Sequence, residues 1–358
     1  VHGDLCPFQG ATGASVYAIW KVQHGMPLYE EPFKAPYPLT LYNTLFYHSF
    51  GTIASLLQVS DERLIAATVC TAIAYSLLGT IFTAMLLRDS LGRPCGRNDM
   101  ICIGCGSFLV WFGPVSSWFS ISPRPDMPAL AFVALGAYLW NLSRTSWKTS
   151  LIAGIAFFLA WACKQTAVCT LTGLFFYDLA VRRNYGRAAA LAIGYWIPTG
   201  ITLLMGDAAY YQNVLVASRI GYLDIGLLKS NFAPVLAWSL PFWSLLPFLA
   251  WQGRRTLHVQ AWMLPTCLAL IVGLVGCSME GSGKNRAFEF VWCAAVLAIP
   301  GVLNLGAGKL RLCFQFSLIA LALAISAQLV LWNRIGRVTL PYSERYKDRQ
   351  EQARMMRT

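Results

Sequence analysis

The sequence predicts an all-α polytopic membrane protein with about ten transmembrane helices and a structured first outer loop that contains interfacial helices. Hydrophobic residues make up 56% of the 358 residues, charged residues make up 12%, and the mean hydropathy is +0.52. These values lie outside the range of soluble globular domains. A helix needs about 20 apolar residues to cross a bilayer, so the chain has room for roughly ten crossings. The predicted spans are residues 64–87, 100–121, 127–142, 150–163, 166–181, 188–205, 231–251, 259–278, 287–303 and 312–332.

Residues 1–63 are predicted to form the outer loop. This segment is too polar and too rich in proline to cross a membrane, but too aromatic to be a solvated tail, so we expect it to lie on the bilayer surface. Within it, residues 39–57 favour an interfacial helix, because Tyr42, Asn43 and His48 interrupt the apolar run. A loop of this length needs a membrane anchor to carry it across, so a first transmembrane helix missing from this sequence is a further expectation.

The rest of the chain is predicted to be one transmembrane helix bundle, residues 64–332, followed by a basic C-terminal tail, residues 333–358. The tail is too short to bury a core of its own. No internal repeat is visible in the sequence. The spans at 127–142, 150–163 and 166–181 are short, which favours a tilted pair among them or one broken helix with Lys164-Gln165 at its bend.

The distribution of charge predicts which side of the membrane the loops occupy. Alternate loops on one side carry twelve cations and three acids, whereas the opposite loops carry nine cations and ten acids. Cytoplasmic loops are the ones enriched in Lys and Arg, so the opening loop is predicted to lie outside. The tail carries seven cations and three acids, and by parity it also lies outside. A long tail weighs less in this rule and could bind anionic headgroups, or the number of crossings could differ by one. The cations of the basic loops are Arg88, Arg93, Arg97, Arg144, Lys148, Arg182, Arg183, Arg187, Arg254, Arg255, Lys309 and Arg311.

Polar residues crowd the predicted outer ends of the spans, while the interiors of the spans are nearly free of charge. Separate loops thus place acids and bases at one depth on one face. This arrangement is typical of a site at the membrane surface and not of a conduction path through the membrane. The residues concerned are Asp4, Arg124, Asp126, Lys164, Gln165, Asp207, Tyr210, Tyr211, Lys284, Asn285, Arg286 and Glu289.

Several of these residues also have a purely structural interpretation. Arg124 could extend to lipid headgroups, Asp126 could cap the helix that follows it, and Asp4 alone could be a solvated loop acid. Lys164 is harder to explain in this way, because a lysine between two apolar stretches is costly unless it reaches water or an anion. The segment Gly281-Ser282-Gly283-Lys284 is not a nucleotide-binding loop, since the chain departs from that motif at positions 278 and 285.

The order of several short segments along the chain is more specific than any one of them. An early Asp4 is followed by a Tyr-containing amphipathic stretch that ends in His24-Gly25-Met26-Pro27-Leu28-Tyr29, and then by a Pro-rich stretch with tyrosines. Later segments are Arg124-Pro125-Asp126, Lys164-Gln165-Thr166-Ala167 and Gly281-Ser282-Gly283-Lys284-Asn285 with Glu289. In this order the segments resemble the GT-C superfamily of integral membrane glycosyltransferases, in the branch of the protein mannosyltransferases and aminoarabinose transferases. The resemblance covers nearly the whole chain.

The resemblance implies a transferase that moves a sugar from a polyprenyl-phosphate-linked donor to an acceptor on the outer face of the membrane. Asp4 is the expected catalytic base, with Glu30 and Glu31 as alternative acids in the same loop. The residues expected to bind the donor phosphate and substrate are Arg124, Asp126, Lys164, Gln165, Lys284, Asn285, Arg286 and Glu289. The residues expected to stack on a sugar are Tyr29, Tyr37 and Tyr42.

The expected partners are the polyprenyl-phosphate-linked donor, a lipid, glycan or protein acceptor, and membrane lipids, with no nucleic acid. No cofactor is expected, a divalent metal stays open, and the four histidines show no ligand spacing. The expected location is a bacterial inner membrane with the active site facing the periplasm. The main alternative is a lipid or sugar transporter or flippase, although such proteins usually show internal repeats and polar groups near the midplane. A non-catalytic membrane scaffold is a second alternative.

Overall fold

The structure is a computed structural model that describes residues 11–32, 40–143, 146–216, 222–252, 256–279, 283–304, 308 and 312–322. Two residues of the predicted site, Asp4 and Tyr37, lie outside the described residues, and so does the predicted tail at 333–358.

The predicted all-α polytopic architecture is confirmed, because every regular element in the described residues is helical. A short 3₁₀ turn (Asp61–Arg63) leads into α3, and another (Lys284–Ala287) leads into α14. The helices are α1 (Ala11–Gln23), α2 (Thr44–Leu56), α3 (Leu64–Ser90), α4 (Arg97–Phe112), α5 (Ser117–Ser120), α6 (Asp126–Leu142), α7 (Trp147–Cys163), α8 (Cys169–Phe176), α9 (Tyr185–Leu204), α10 (Ala208–Tyr211), α11 (Ile225–Trp243), α12 (Leu246–Gln252), α13 (Leu257–Ser278), α14 (Phe288–Asn304) and α15 (Leu312–Ala322).

Four of the described helices are long and apolar enough to cross a membrane unaided, and they contain α3, α9, α13 and α14. The apolar part of α14 is 89% buried, against 33% to 39% in the other three. A helix that is apolar and buried all round lies in the centre of a bundle. We therefore place α14 at the centre, with α3, α9 and α13 each presenting one side outward.

Two predicted spans are wrong as single helices. The span predicted at 100–121 is divided because α4 ends at Phe112, and Pro114 has no N–H with which to continue the helix. The carbonyl of Val110, which that N–H would have reached, accepts a hydrogen bond from Ser116 Oγ at 2.7 Å instead. The span predicted at 231–251 is also divided, into α11 and α12, with Pro247 in the first turn of α12.

The break predicted at Lys164-Gln165 is present between α7 and α8. α7 ends at Cys163, and Lys164 follows with extended backbone angles of φ −147° and ψ 118°. Residues 164–168 then turn before α8 begins at Cys169. α7 and α8 are the two halves of this broken helix. The polar residues of the bend between them, Lys164 and Gln165, lie at one end of the bundle.

Close contact between α7 and α9 depends on two glycines. A Cβ atom at Gly154 would overlap the backbone oxygen of Leu191, and a Cβ atom at Gly194 would overlap that of Leu151. Small residues at a helix interface allow membrane helices to approach closely. α7 also packs against α6, and α6 packs against α3, so these four helices form a continuous layer.

The described part of the outer loop forms a cap of two packed helices, α1 and α2. The Cβ position of Gly51 in α2 would lie 2.6 Å from the side chain of Val22, so the two helices are in direct contact. Lys21 Nζ donates to Glu30 Oε1 at 2.7 Å, and Gln23 Nε2 donates to the backbone oxygen of Val59 at 2.6 Å. Because α2 also packs against α3 and α7, the cap covers the end of the bundle at which α7 breaks.

Candidate functional site

Three segments far apart in the sequence meet at that end of the bundle. Asp126 is the first residue of α6, Lys164 follows the last residue of α7, and Asn285 lies in the turn before α14. Lys164 Nζ lies 2.5 Å from Asp126 Oδ1, and Asn285 Nδ2 donates to the same oxygen at 2.9 Å. The extended backbone at Lys164 directs its side chain away from the axis of α7, while the N-terminus of α6 favours a carboxylate.

This ion pair is almost completely removed from solvent. Asp126 is 3% exposed and Lys164 is 7% exposed. Burial alone raises the pKa of Asp126, but the ammonium of Lys164 and the amide of Asn285 outweigh burial and hold the pKa below its usual range. The ion pair with Lys164 thus stabilises the ionised form of this carboxyl group. Its second oxygen, Oδ2, is buried and has no hydrogen-bond partner among the described residues.

A cavity of about 260 Å³ opens beside the pair. We call it the site cavity; its polar lining includes Asp126, Lys164, Asn285, Arg286 and Glu289, all from the set that the sequence predicts. The apolar lining comes mostly from the start of α6 and the last turns of α13. The structure thus brings five of the predicted residues around one space.

Two of the lining residues are positioned by local packing. Arg286 lies over Gly276 of α13, where a Cβ atom would be 2.8 Å from the Cβ of Arg286. The guanidinium has no ion-pair partner among the described residues. Glu289 is held differently, because its Oε1 accepts hydrogen bonds from both the backbone N–H and the hydroxyl of Thr170, each at 2.7 Å. Among the described residues, Lys164 is therefore the cation of this cavity that forms an ion pair, whereas Arg286 forms none.

Three other predicted residues lie near this cavity but do not line it. Arg124 Nε donates to Thr12 Oγ1 at 2.9 Å, which ties the start of α6 to α1. Gln165 Nε2 donates to the backbone oxygens of Leu41 and Val214, at 2.9 and 3.3 Å. These two side chains connect the bundle to the outer loop and to the segment after α10. Lys284 Nζ likewise donates to the backbone oxygen of Pro114 at 3.2 Å.

The two described tyrosines of the predicted sugar-stacking set occupy different environments. Burial raises the pKa of Tyr42, and the charges of Asp126, Arg124 and Arg286 also act on its hydroxyl, so Tyr42 lies beside the charged cluster. Tyr29 donates its hydroxyl to the backbone oxygen of Tyr42 at 2.8 Å and lines a separate cavity of about 470 Å³. Tyr42 is thus the better placed of the two to meet a ligand in the site cavity.

Sequence reasoning did not identify the partners that hold these residues in place. Thr170 is the clearest example, because it lies one residue inside α8 and looks like an ordinary helical threonine in the sequence. Asn43 is another: it donates to the backbone oxygen of Trp161 at 2.6 Å, and it accepts from the hydroxyl of Tyr210 at 2.9 Å. An amide that interrupts the apolar stretch of the outer loop was a weak signal for such a role.

No group of three or more His, Cys, Asp or Glu side chains that could hold a metal ion occurs among the described residues. The acids of the site cavity have other partners: Asp126 binds Lys164 and Asn285, and Glu289 binds Thr170. The described part of the site is therefore built from cations, amides and hydroxyls that surround two carboxylates.

The arrangement of helices is that of a polytopic membrane protein. No protein-family model and no curated protein matches the sequence. Among solved structures, the chain is similar to the crystal structure of ArnT from Cupriavidus metallidurans bound to undecaprenyl phosphate, with a TM-score of 0.63 and 12% sequence identity. The match covers 95% of this chain and 63% of that ArnT chain, so the present chain spans less than two thirds of its length. The resemblance seen in the sequence is confirmed at the level of the fold.

Proposed function

We propose that the protein is a membrane glycosyltransferase that takes a sugar from a polyprenyl-phosphate-linked donor and passes it to an acceptor. The observation that carries this proposal is that the site cavity has both a charged and an apolar lining. Its lining combines the cations Lys164 and Arg286, beside the carboxyl groups of Asp126 and Glu289, with apolar side chains of α13. A lipid phosphate has the same two parts, a charged head and a hydrocarbon chain.

The apolar part of the cavity lining, on α13, reaches the outer surface of the bundle. Ile271, Val272 and Val275 line the cavity and are 57%, 39% and 52% exposed. These residues belong to α13, one of the helices long and apolar enough to cross a membrane. In a bilayer this surface faces hydrocarbon, so a polyprenyl chain could enter the cavity sideways without passing through water.

The cations can stabilise the charge that develops on the leaving phosphate. In the proposed reaction an acceptor oxygen attacks the anomeric carbon, the bond from that carbon to the donor phosphate oxygen breaks, and the acceptor proton passes to a carboxylate base. Arg286 and Lys164 would hold the phosphate through charge-assisted hydrogen bonds, whose effect is greatest in a site from which water is excluded. Asp4 remains the proposed base, and a single displacement of this kind inverts the anomeric configuration.

Two further groups suit the sugar of such a donor. Asp126 Oδ2 is a buried acceptor with no partner among the described residues, so it can accept a hydrogen bond from a sugar hydroxyl. Tyr42 lies beside the same charges and offers an aromatic face. The sugar would then lie between the start of α6 and the outer loop, above the phosphate.

The comparison with ArnT supports this proposal, since that protein is described with undecaprenyl phosphate bound. The charge of the loops supports a placement with the site cavity on the outer face, which in a bacterial inner membrane is the periplasmic face. We also retain the division into outer loop (1–63), helix bundle (64–332) and basic tail (333–358) as part of the proposal.

The proposal is tested by incubating the purified protein with a polyprenyl-phosphate-linked sugar and measuring release of polyprenyl phosphate. We expect release by the wild-type protein and a large loss of release in Arg286→Gln. Arg63→Gln is the matched control, because Arg63 is an exposed cation that lines none of the cavities described above. If the protein releases no lipid phosphate but moves the labelled donor across a vesicle membrane, the transporter alternative replaces the transferase.

A further inference from the structure

A second polar cavity lies at the opposite end of the bundle from the site cavity. Its volume is about 200 Å³, and it lies between the last residues of α3 and α6 and the first residues of α9 and α13. We call it the basic-end cavity. α6 connects the two cavities: Asp126 lines one and Asn141 lines the other. At about 1.5 Å of rise per residue these positions are roughly 22 Å apart, so the two cavities are distinct.

Arg187, in the first turn of α9, forms one wall of the basic-end cavity and is held in a fixed orientation. Its Nε lies 3.1 Å from Asp178 Oδ2, its Nη2 donates to the backbone oxygen of Trp140 at 2.5 Å, and the guanidinium lies 4.2 Å from the centre of the Trp140 ring. Trp140 Nε1 in turn donates to Asp178 Oδ2 at 2.7 Å. Arg187 Nε has no hydrogen-bond partner among the described residues, since its contact with Asp178 is an ion pair only.

The charge of this cavity is not balanced by its own lining. Arg187 is 3% exposed and is compensated by Asp178, which does not line the cavity. Arg182 also lines the cavity, is exposed, and has no ion-pair partner among the described residues. The lining contributed by the described residues contains no carboxylate, so an anion that entered would meet two guanidinium groups and no opposing acid from that part of the chain.

Neutral polar groups in the lining also lack partners. Ser90 Oγ, at the end of α3, is buried and has no hydrogen-bond partner among the described residues. The amide of Asn141 likewise has no side-chain hydrogen bond within the described part of the chain. Buried polar atoms are nearly always satisfied in proteins. A buried hydroxyl that faces a cavity without a partner therefore indicates a missing ligand or water.

The surroundings fit the depth of lipid headgroups. Val181, Tyr185 and Leu257 are 55%, 63% and 58% exposed at this end of the bundle, and they would face the membrane or its interface. The loops at this end are also those in which the sequence concentrates its cations. Basic pockets between transmembrane helices at a positively charged face are a known type of headgroup site.

We propose that the basic-end cavity binds a phosphate group through Arg182, Arg187, Ser90 and Asn141. Guanidinium groups with adjacent amide and hydroxyl donors suit the several acceptor oxygens of a phosphate. The phosphate can come from the headgroup of an anionic phospholipid or from free phosphate in solution. This site is separate from the proposed donor site, and its occupation does not depend on glycosyl transfer.

The test measures how the unfolding temperature of the full chain in detergent changes with added ligand. The probes are phosphatidylglycerol, phosphatidylcholine with the same acyl chains, and inorganic phosphate. The variants are Arg182→Gln and its matched control Arg183→Gln, which removes a neighbouring exposed cation that does not line the cavity. A ligand that binds only the folded state stabilises it by RT ln(1 + [L]/Kd), so the unfolding temperature rises with the concentration of ligand relative to its Kd.

We expect phosphatidylglycerol to raise the unfolding temperature of the wild-type protein and phosphatidylcholine to have little effect. Arg182→Gln should require roughly tenfold more phosphatidylglycerol for the same shift, because it removes one charge-assisted contact, whereas Arg183→Gln should respond like wild type. A shift by inorganic phosphate alone, lost in Arg182→Gln, identifies free phosphate as the ligand. Equal loss in Arg183→Gln, or equal shifts with both lipids, would overturn the proposal.

Discussion

The buried pair of Asp126 and Lys164 allows a structural role to be separated from donor binding. In Lys164→Met the carboxylate of Asp126 keeps its amide contact with Asn285 but loses its only ion-pair partner among the described residues. Removing one member of a buried pair leaves an uncompensated charge and costs about 3 to 5 kcal/mol. Both groups are more than nine-tenths buried, so solvent screens this loss very little. We therefore expect Lys164→Met to be strongly destabilised in denaturant unfolding.

The double variant Lys164→Met with Asp126→Asn should recover most of the lost stability. It contains neither charge, and replacing a whole buried pair with uncharged groups is often close to neutral. Donor binding should not recover, because the ammonium proposed to hold the phosphate is still absent. A charge-assisted contact of about 1.5 to 3 kcal/mol corresponds to roughly a tenfold to hundredfold loss of affinity for polyprenyl phosphate.

The assay measures unfolding and polyprenyl-phosphate binding on the same preparations. Lys148→Met is the matched control: it removes an exposed lysine at the basic end and should change neither quantity. If the double variant binds donor as wild type does, Lys164 serves only to neutralise Asp126. If Lys164→Met alone is as stable as wild type, Asp126 and Lys164 are not a buried ion pair.

Three further predictions concern topology, catalysis and packing. A membrane-impermeant thiol reagent applied to intact cells should label Cys6 in the outer loop and spare Cys95 in a basic loop. Asp4→Asn should lower turnover about 10² to 10⁴-fold while donor binding survives, as expected for loss of a general base. Gly154→Ala should destabilise the protein by about 1 to 3 kcal/mol, because the methyl group would meet the backbone of α9. Gly200→Ala should be neutral or stabilising, since nothing lies within 4 Å of its Cβ position.

Each of these predictions has a clear contrary result. Labelling of Cys95 with Cys6 spared would reverse the proposed orientation. Glu30→Gln and Glu31→Gln are controls in the same loop as Asp4; loss of activity in either one, with Asp4→Asn active, would move the base to another acid. Equal stability of Gly154→Ala and Gly200→Ala would show that α7 and α9 do not pack as closely as described.

The sequence predicted the helical membrane fold because apolar composition and span length depend only on local sequence. It also singled out Lys164, since a lysine between apolar stretches is costly wherever the chain folds. It could not predict that the partner is Asp126, because 38 residues separate the two and the contact depends on how α6 and α7 pack. The Asn285 contact, across 159 residues, is more remote still.

The division of two predicted spans shows a second limit. Apolar residues continue on both sides of Gly113-Pro114, so hydropathy alone favoured one span across it, while the backbone chemistry of proline ended α4. The different environments of Tyr29 and Tyr42 were also not predictable from local sequence. Both lie in the same aromatic stretch, but only the folded cap places Tyr42 by the charged cluster and Tyr29 in another cavity.

The proposed function requires the site cavity to hold the phosphate of a polyprenyl-linked donor. An experimental structure of the full chain with polyprenyl phosphate bound tests it most directly. We expect the phosphate within hydrogen-bonding distance of Lys164 and Arg286, with the first isoprene units against Val272 and Val275 of α13. A lipid phosphate bound elsewhere in the bundle, with the site cavity empty, would contradict it.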